Sequence, residues 1–447
     1  MSSHIQTGSK SFTYLGDELV STPDTFTDIE EEHELQIPTT NSISESNELP
    51  IEFYIVGTSG RYISLSQSYI HIRFKVLNKE GRDITATDIV GPINLAAQAL
   101  FSHSDLYLNE EPVSKSNGQY SQRAYISTVV GHTKEAKESW LQSELYYEDA
   151  YGASFDSHII KANASSGINT GFIERQEYVS QSKVVYTVIK PHIDLFNQSR
   201  PIPPNVNIRL RFIRNKAEYC LMSNGLKEFQ LQIISAVLYA KSLKVNDSVM
   251  LKHKHVLTNN GKMIYPIRRV QMQSFTLPLN IRNHIRPNLI TGQLPKRIIL
   301  CMTTNKAFNG DYTCSPFRYR PFNISKLSLN VNGRSCPSRP YVFNFSNSGI
   351  GKEYSRAFRA LSSITGPDYV TKGNGISRKM FEDGYTMIPF TINEEYSNDT
   401  LSLNHEGSIQ LEMEFSIATS EVINVILYIE YENIITIGKQ GEVTINY

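Results

Sequence analysis

The run Leu106-Tyr107-Leu108-Asn109, followed by Ser114, returns 221 residues later as Leu327-Ser328-Leu329-Asn330, followed by Ser335. A repeat at about half the chain length restricts the fold to two copies of one unit, each with its own core. The surrounding elements keep the same order in both copies. Tyr120-Ser121-Gln122-Arg123-Ala124-Tyr125 after the first run corresponds to Tyr354-Ser355-Arg356-Ala357-Phe358 after the second, and both read as the start of a short helix. Further on, residues 184–190 match 385–392, 206–214 match 409–417, and 229–239 match 422–431.

The repeated unit is built from strands. Ile70, Ile72, Phe74 and Val76 alternate with His71, Arg73 and Lys75, and Ile409, Leu411, Met413, Phe415 and Ile417 alternate with Gln410, Glu412, Glu414 and Ser416. Period-two alternation turns one face of a strand into a core and leaves the other for water or a second layer. Six Asn-Gly pairs, at Asn117, Asn224, Asn260, Asn309, Asn332 and Asn374, favour tight reversals because both residues tolerate positive φ. Helical signals are confined to residues 119–130, 134–141 and 352–361. The expected fold is all-β: two tandem eight-stranded antiparallel jelly rolls with short helices in loops. Residues 1–50, polar and acidic, are expected to form an extended or disordered arm, 51–250 the first roll and 251–447 the second, with the join in the polar stretch 251–262.

Charge and motifs narrow the function. Lys and Arg number 44 against 44 Asp and Glu, which argues against coating nucleic acid through its phosphates. The first residues lack a secretory pattern and no apolar run is long enough to span a bilayer, so a soluble product made inside a cell is expected. The four cysteines, Cys220, Cys301, Cys314 and Cys336, show no CxxC spacing, and neither HExxH, GxSxG nor a phosphate-binding P-loop occurs. His253-Lys254-His255 places two imidazoles on one side of a strand but has no acidic or thiol partner beside it, so it is read as surface or linker. Glu110-Glu111, Glu148-Asp149 and Glu394-Glu395 are read as solvated carboxylates, and Arg268-Arg269 and Lys296-Arg297 as strand surface or subunit contacts. No catalytic, metal or cofactor-binding residue is assigned.

With 25 Tyr and 20 Phe but no catalytic constellation, assembly explains the chain better than turnover. Tyrosine suits interfaces because its rigid ring is apolar and its tip is polar. Tyr146, Tyr151, Tyr312, Phe317 and Tyr319 are the candidate subunit-interface residues.

Residues 136–143 (AKESWLQS), 265–270 (YPIRRV), 292–297 (GQLPKR), 307–312 (AFNGDY) and 431–435 (YENII) occur in the same order as in capsid proteins of adintoviruses and the related Polinton (Maverick) elements, and from residue 51 to the end the chain resembles that family. The resemblance implies a major capsid protein, or hexon, of double jelly-roll type. It implies a homotrimer with a pseudo-hexagonal footprint that meets neighbouring capsomers and penton or minor capsid proteins. It also implies an icosahedral virion shell enclosing double-stranded DNA without sequence-specific binding, and no enzyme activity. The runner-up readings are a minor capsid, vertex or glycan-binding β-sandwich protein and, behind it, a β-sandwich enzyme.

Overall fold

The computed structural model describes residues 28–43, 49–158, 167–259, 261–346, 351–365, 373–392, 404–439 and 441–446. Its first half holds β1 (Ile29–Pro38), β2 (Ile51–Ile55), β3 (Arg61–Asn78), β4 (Val90–Pro92), β5 (Phe101–Leu108), β6 (Glu111–Ser114), β7 (Val185–Ile189), β8 (Ile208–Arg214), β9 (Leu221–Ser223) and β10 (Phe229–Val245). The second holds β11 (Met263–Leu277), β12 (Asn283–Gln293), β13 (Arg297–Thr304), β14 (Ile324–Val331), β15 (Arg334–Val342), β16 (Met387–Thr391), β17 (Glu406–Phe415), β18 (Ile423–Ile437) and β19 (Val443–Asn446).

Two four-stranded sheets, in the orders β1-β10-β3-β7 and β2-β8-β5-β6, face each other in the first half; β4 and β9 pair separately. The second half repeats the plan as β11-β18-β13-β16, with β19 added to β18, and β12-β17-β14-β15. Reading each half in chain order, its first, eighth, third and sixth sandwich strands make one sheet and its second, seventh, fourth and fifth the other. All ladders within these sheets are antiparallel. This is jelly-roll connectivity, completed twice.

The repeated sequence runs fall on equivalent elements. Residues 106–108 lie on β5 and 327–330 on β14, and the helices Tyr120–Gly131 and Ser355–Ser362 each precede the sixth sandwich strand of their half. In the second half Asn332 (φ 50°) and Gly333 (φ 80°) form the two-residue turn between β14 and β15. The first half makes the same reversal with Asn109 (φ 48°) and Glu110 (φ 67°), a left-handed conformation that costs a residue with a Cβ.

The alternating residues fill the sandwiches as expected, except Ile417, which lies beyond the end of β17 and is 61% exposed. Ile70, Ile72, Phe74, Val76, Ile208, Leu210 and Phe212 are buried in the first, and Ile409, Leu411, Met413 and Phe415 in the second.

Three expectations need correction. The arm expected over residues 1–50 contributes a strand of the first roll, because Ile29–Pro38 pairs along β10 as the edge of the sheet. Its sequence, IEEEHELQIP, shows no alternation because most of it is exposed. It is held by the ladder and by ion pairs such as Glu32 with Lys241 at 2.6 Å and Glu30 with Lys244 at 3.0 Å, and charged edges also resist unwanted strand pairing. Residues 1–27 and 44–48 of the expected arm lie outside the described residues. The polar join is largely helix, Asp247–Thr258, with Asn246 capping it through a bond from the Ser248 N–H at 2.9 Å. On a helix, His253 and His255 point apart; His253 Nδ1 instead shares a proton with the Tyr62 hydroxyl at 2.8 Å.

Candidate functional site

The Tyr120–Gly131 helix has ten buried residues, tyrosines, a glutamine and an arginine among them. A helix apolar or buried on all sides has to be enclosed by protein. It lies between the core of its own roll and the second half, and the chain between β13 and β14 closes over it. Tyr125 stacks on Phe317 with centroids 4.2 Å apart and planes 3° from parallel. The Tyr319 hydroxyl donates to Gln122 Oε1 at 2.5 Å, while Gln122 Nε2 donates to the Pro316 carbonyl at 3.1 Å and to the Tyr219 hydroxyl at 3.0 Å. Both ends of this glutamine are therefore satisfied, as burial requires.

Charged groups extend the seam on both sides of the stack. Arg318 reaches Asp156 of the first half and Asp383 of the second, each at 2.7 Å. Burial nevertheless pushes the Asp156 carboxyl above its usual range. Asp194 accepts from Arg123 at 2.6 Å and from the Val270 N–H of β11 at 3.2 Å. Lys137, buried, donates to the Val129 carbonyl and across the seam to that of Asn374, both at 2.6 Å; burial pulls its ammonium down to about 8. The Tyr385 hydroxyl donates to the Asp149 carbonyl at 3.0 Å, and the Tyr312 hydroxyl to that of Phe229 at 3.0 Å. An interface of this kind ties the two sandwiches to each other through side chains of both halves.

Of the candidate subunit-interface residues, Phe317 and Tyr319 are fully buried, and Tyr146 and Tyr312 are buried too. Within the chain, Phe317 stacks on Tyr125, Tyr319 bonds to Gln122 and Tyr312 to Phe229. Large apolar rings in long loops read identically whether they dock on a second subunit or on the other half of the same chain. Tyr151 is the exception, 46% exposed.

The motifs set aside as surface divide similarly. Asp149 is buried and paired with Arg175 at 2.6 Å, contrary to the solvated reading, whereas Glu394 and Glu395 lie outside the described residues. Lys296 pairs with Glu432 at 2.7 Å and Arg297 with Glu430 at 3.3 Å, so this basic pair finds its acids on β18 of the same sheet. Among the described residues no cluster of His, Cys, Asp and Glu could hold a metal ion, and no helix is long and apolar enough to cross a membrane.

Sequence reasoning missed the exposed apolar surface. Tyr186, on β7, is 64% exposed in the middle of a strand. Its ring stacks on His71 at 6.1 Å, and Tyr69 stacks on Tyr239 at 5.1 Å on the same sheet. The available signal was an aromatic residue at an outward position of an alternating strand.

The chain spans 99% of its length against a chain of the Sputnik virophage, covering 93% of that chain, with a TM-score of 0.60 and 11% identity. The mavirus major capsid protein aligns over 100% of this chain and 96% of its own, with a TM-score of 0.54 and 11% identity. For the Faustovirus major capsid protein the coverages are 93% and 91%, the TM-score 0.53 and the identity 10%. The fold is a double jelly roll. At these identities the likeness is one of fold. No family model matches the chain. In sequence, an uncharacterized protein of Caenorhabditis elegans is 21% identical over 401 residues, covering 87% of this chain and 91% of that protein.

Proposed function

We propose that this double jelly roll is a major capsid protein, a structural component and not an enzyme, which assembles as a homotrimer. Three chains supply six similar rolls, and a trimer of such chains presents a pseudo-hexagonal outline that tiles an icosahedral shell beside neighbouring capsomers and separate vertex proteins. The shell would enclose double-stranded DNA through its shape and not through base contacts, consistent with the even balance of charge.

The observation that carries this reading is the fusion itself. Two complete sandwiches are locked by a seam of buried aromatic and charged groups, so each chain delivers both rolls in one fixed relation. Capsid proteins among the structures of the same fold support it. The adintovirus and Polinton resemblance in the sequence is the finer form of the same proposal.

Negative-stain electron microscopy of the purified protein tests the reading. Shells, or sheets with a hexagonal lattice, are the expected result; dispersed particles of single-chain size under all assembly conditions would contradict it.

A further inference from the structure

Among the Asn-Gly pairs, Asn374-Gly375 stands apart. Asn117, Asn224, Asn309 and Asn332 are exposed, whereas Asn374 is buried, 3% exposed; Asn260 lies outside the described residues. The Asn374-Gly375 turn of the second half lies against the Lys134–Lys137 helix of the first, where a Cβ on Gly375 (φ 80°) would meet that of Lys134 at 3.3 Å.

In an Asn-Gly pair the next main-chain nitrogen readily attacks the side-chain carboxamide, because glycine has no Cβ to obstruct the approach. Here the side chain is turned for it. Asn374 Oδ1 accepts from the Ile376 N–H at 3.2 Å, closing a turn that folds the carboxamide back towards Gly375. Nδ2, the group that leaves in such an attack, is held only by the Leu361 carbonyl at 3.5 Å. The product is a five-membered imide. On a surface water opens it, but at a buried residue water is scarce.

A second nucleophile is already in place. Lys137 Nζ donates to the Asn374 main-chain carbonyl at 2.6 Å. A carbonyl carbon lies about 1.2 Å from its oxygen, so the amine and this carbon are within about 4 Å of each other. Groups held this close react with the advantage of an intramolecular step. Lys137 is buried, and burial pulls its ammonium down to about 8 against the opposing effect of Glu148, so part of it is the neutral, nucleophilic amine near neutral pH.

We propose that Lys137 and Asn374 join in a covalent amide across the seam, formed by the chain's own groups. First the Gly375 nitrogen bonds to Asn374 Cγ, the Cγ–Nδ2 bond breaks, and ammonia leaves with the proton from that nitrogen. The Lys137 ammonium passes a proton to the ammonia, and Nζ bonds to the Asn374 main-chain carbon. The bond from that carbon to the Gly375 nitrogen breaks, and a proton from Nζ moves to that nitrogen. The main chain then runs through Asn374 Cγ, the two halves share one new amide, and one ammonium ion is released. The inference is independent of the capsid reading and adds a covalent tie to the seam.

Intact-mass spectrometry of the wild type, purified and held at pH 8, tests it. The chain is expected to be lighter than its sequence by one ammonia, about 17 Da, and to keep that loss in mild hydroxylamine, which opens an imide. Digestion should yield a branched peptide joining Lys137 to Asn374. Lys137→Arg, which keeps a charged donor beside the two carbonyls, should lack both the resistant mass loss and the branched peptide. A wild type at its full mass, or one whose loss disappears in hydroxylamine, would overturn the inference; so would a resistant loss that persists in Lys137→Arg. The wild-type measurement decides the matter whether or not the variant folds.

Discussion

Tyr125 of the first half and Phe317 of the second lie ring on ring, 4.2 Å between centroids, at the middle of the seam. Both are fully buried, so the seam has the packing of a domain core. Phe317→Ala is expected to cost about 3–5 kcal/mol, the usual loss for emptying a buried aromatic site. Calorimetry should also show the single unfolding transition separating into two as the halves uncouple. A change below about 1 kcal/mol with one transition retained would mean that the stack does not bind the halves together.

Arg175 and Asp149 pair at 2.6 Å with both side chains buried, while Lys326 and Glu414 pair at 2.9 Å with both largely exposed. Removing one partner of the buried pair leaves an uncompensated charge, so Arg175→Ala is expected to destabilise by about 3–5 kcal/mol. Lys326→Ala should change stability by less than about 1 kcal/mol. Urea unfolding of the two variants side by side measures the contrast, and equal effects would contradict it.

Two buried groups set opposite pH limits. Glu144 accepts from the Gln98 side chain at 2.9 Å and the Lys190 N–H at 3.2 Å, and burial raises its carboxyl from 4.5 to about 7. Between those values the folded chain keeps a proton that the unfolded chain has released, so its contribution falls as pH rises through that window, by about 3 kcal/mol in all. His192, buried against Ser127 and Thr128, is lowered from 6.5 to about 3 by burial first. It stays neutral in the folded chain where the unfolded one charges, so stability is lost as pH falls from 6.5 towards 3. Denaturant unfolding from pH 4 to 8 should show Glu144→Gln flattening the decline above pH 5 and His192→Asn flattening the decline below 6.5. Slopes identical to wild type would remove these groups from the account.

Glu110 occupies with φ 67° the place that Gly333 fills with φ 80° in the second half. Its exposed pair with Arg209 at 2.9 Å offsets little of the backbone cost. Glu110→Gly is therefore expected to stabilise the protein by about 0.5–1 kcal/mol, read from the urea midpoint. A destabilised variant would show that the ion pair outweighs the strain.

Much of this architecture can be read from the residues. The Leu-x-Leu-Asn repeat marks β5 and β14, and the alternation at Ile70 to Val76 and Ile409 to Phe415 marks two sandwich strands, because half-buried strands print their burial on the sequence. Strand Ile29–Pro38 leaves no such print, since an exposed edge is held by backbone bonds and by lysines more than 200 residues away. The burial of four of the five interface candidates was not legible for a related reason. Burial of Phe317 and Tyr319 depends on which half closes over them, and no local spacing records that. Asp149 likewise looks solvated until Arg175 is brought beside it by the fold.

The mass of the wild-type particle in solution bears most directly on the claim that two fused rolls are made to assemble. Light scattering across a concentration series should give a species of about three times the 50.7 kDa of one chain, with larger assemblies as concentration rises. A single-chain mass at every concentration would contradict it.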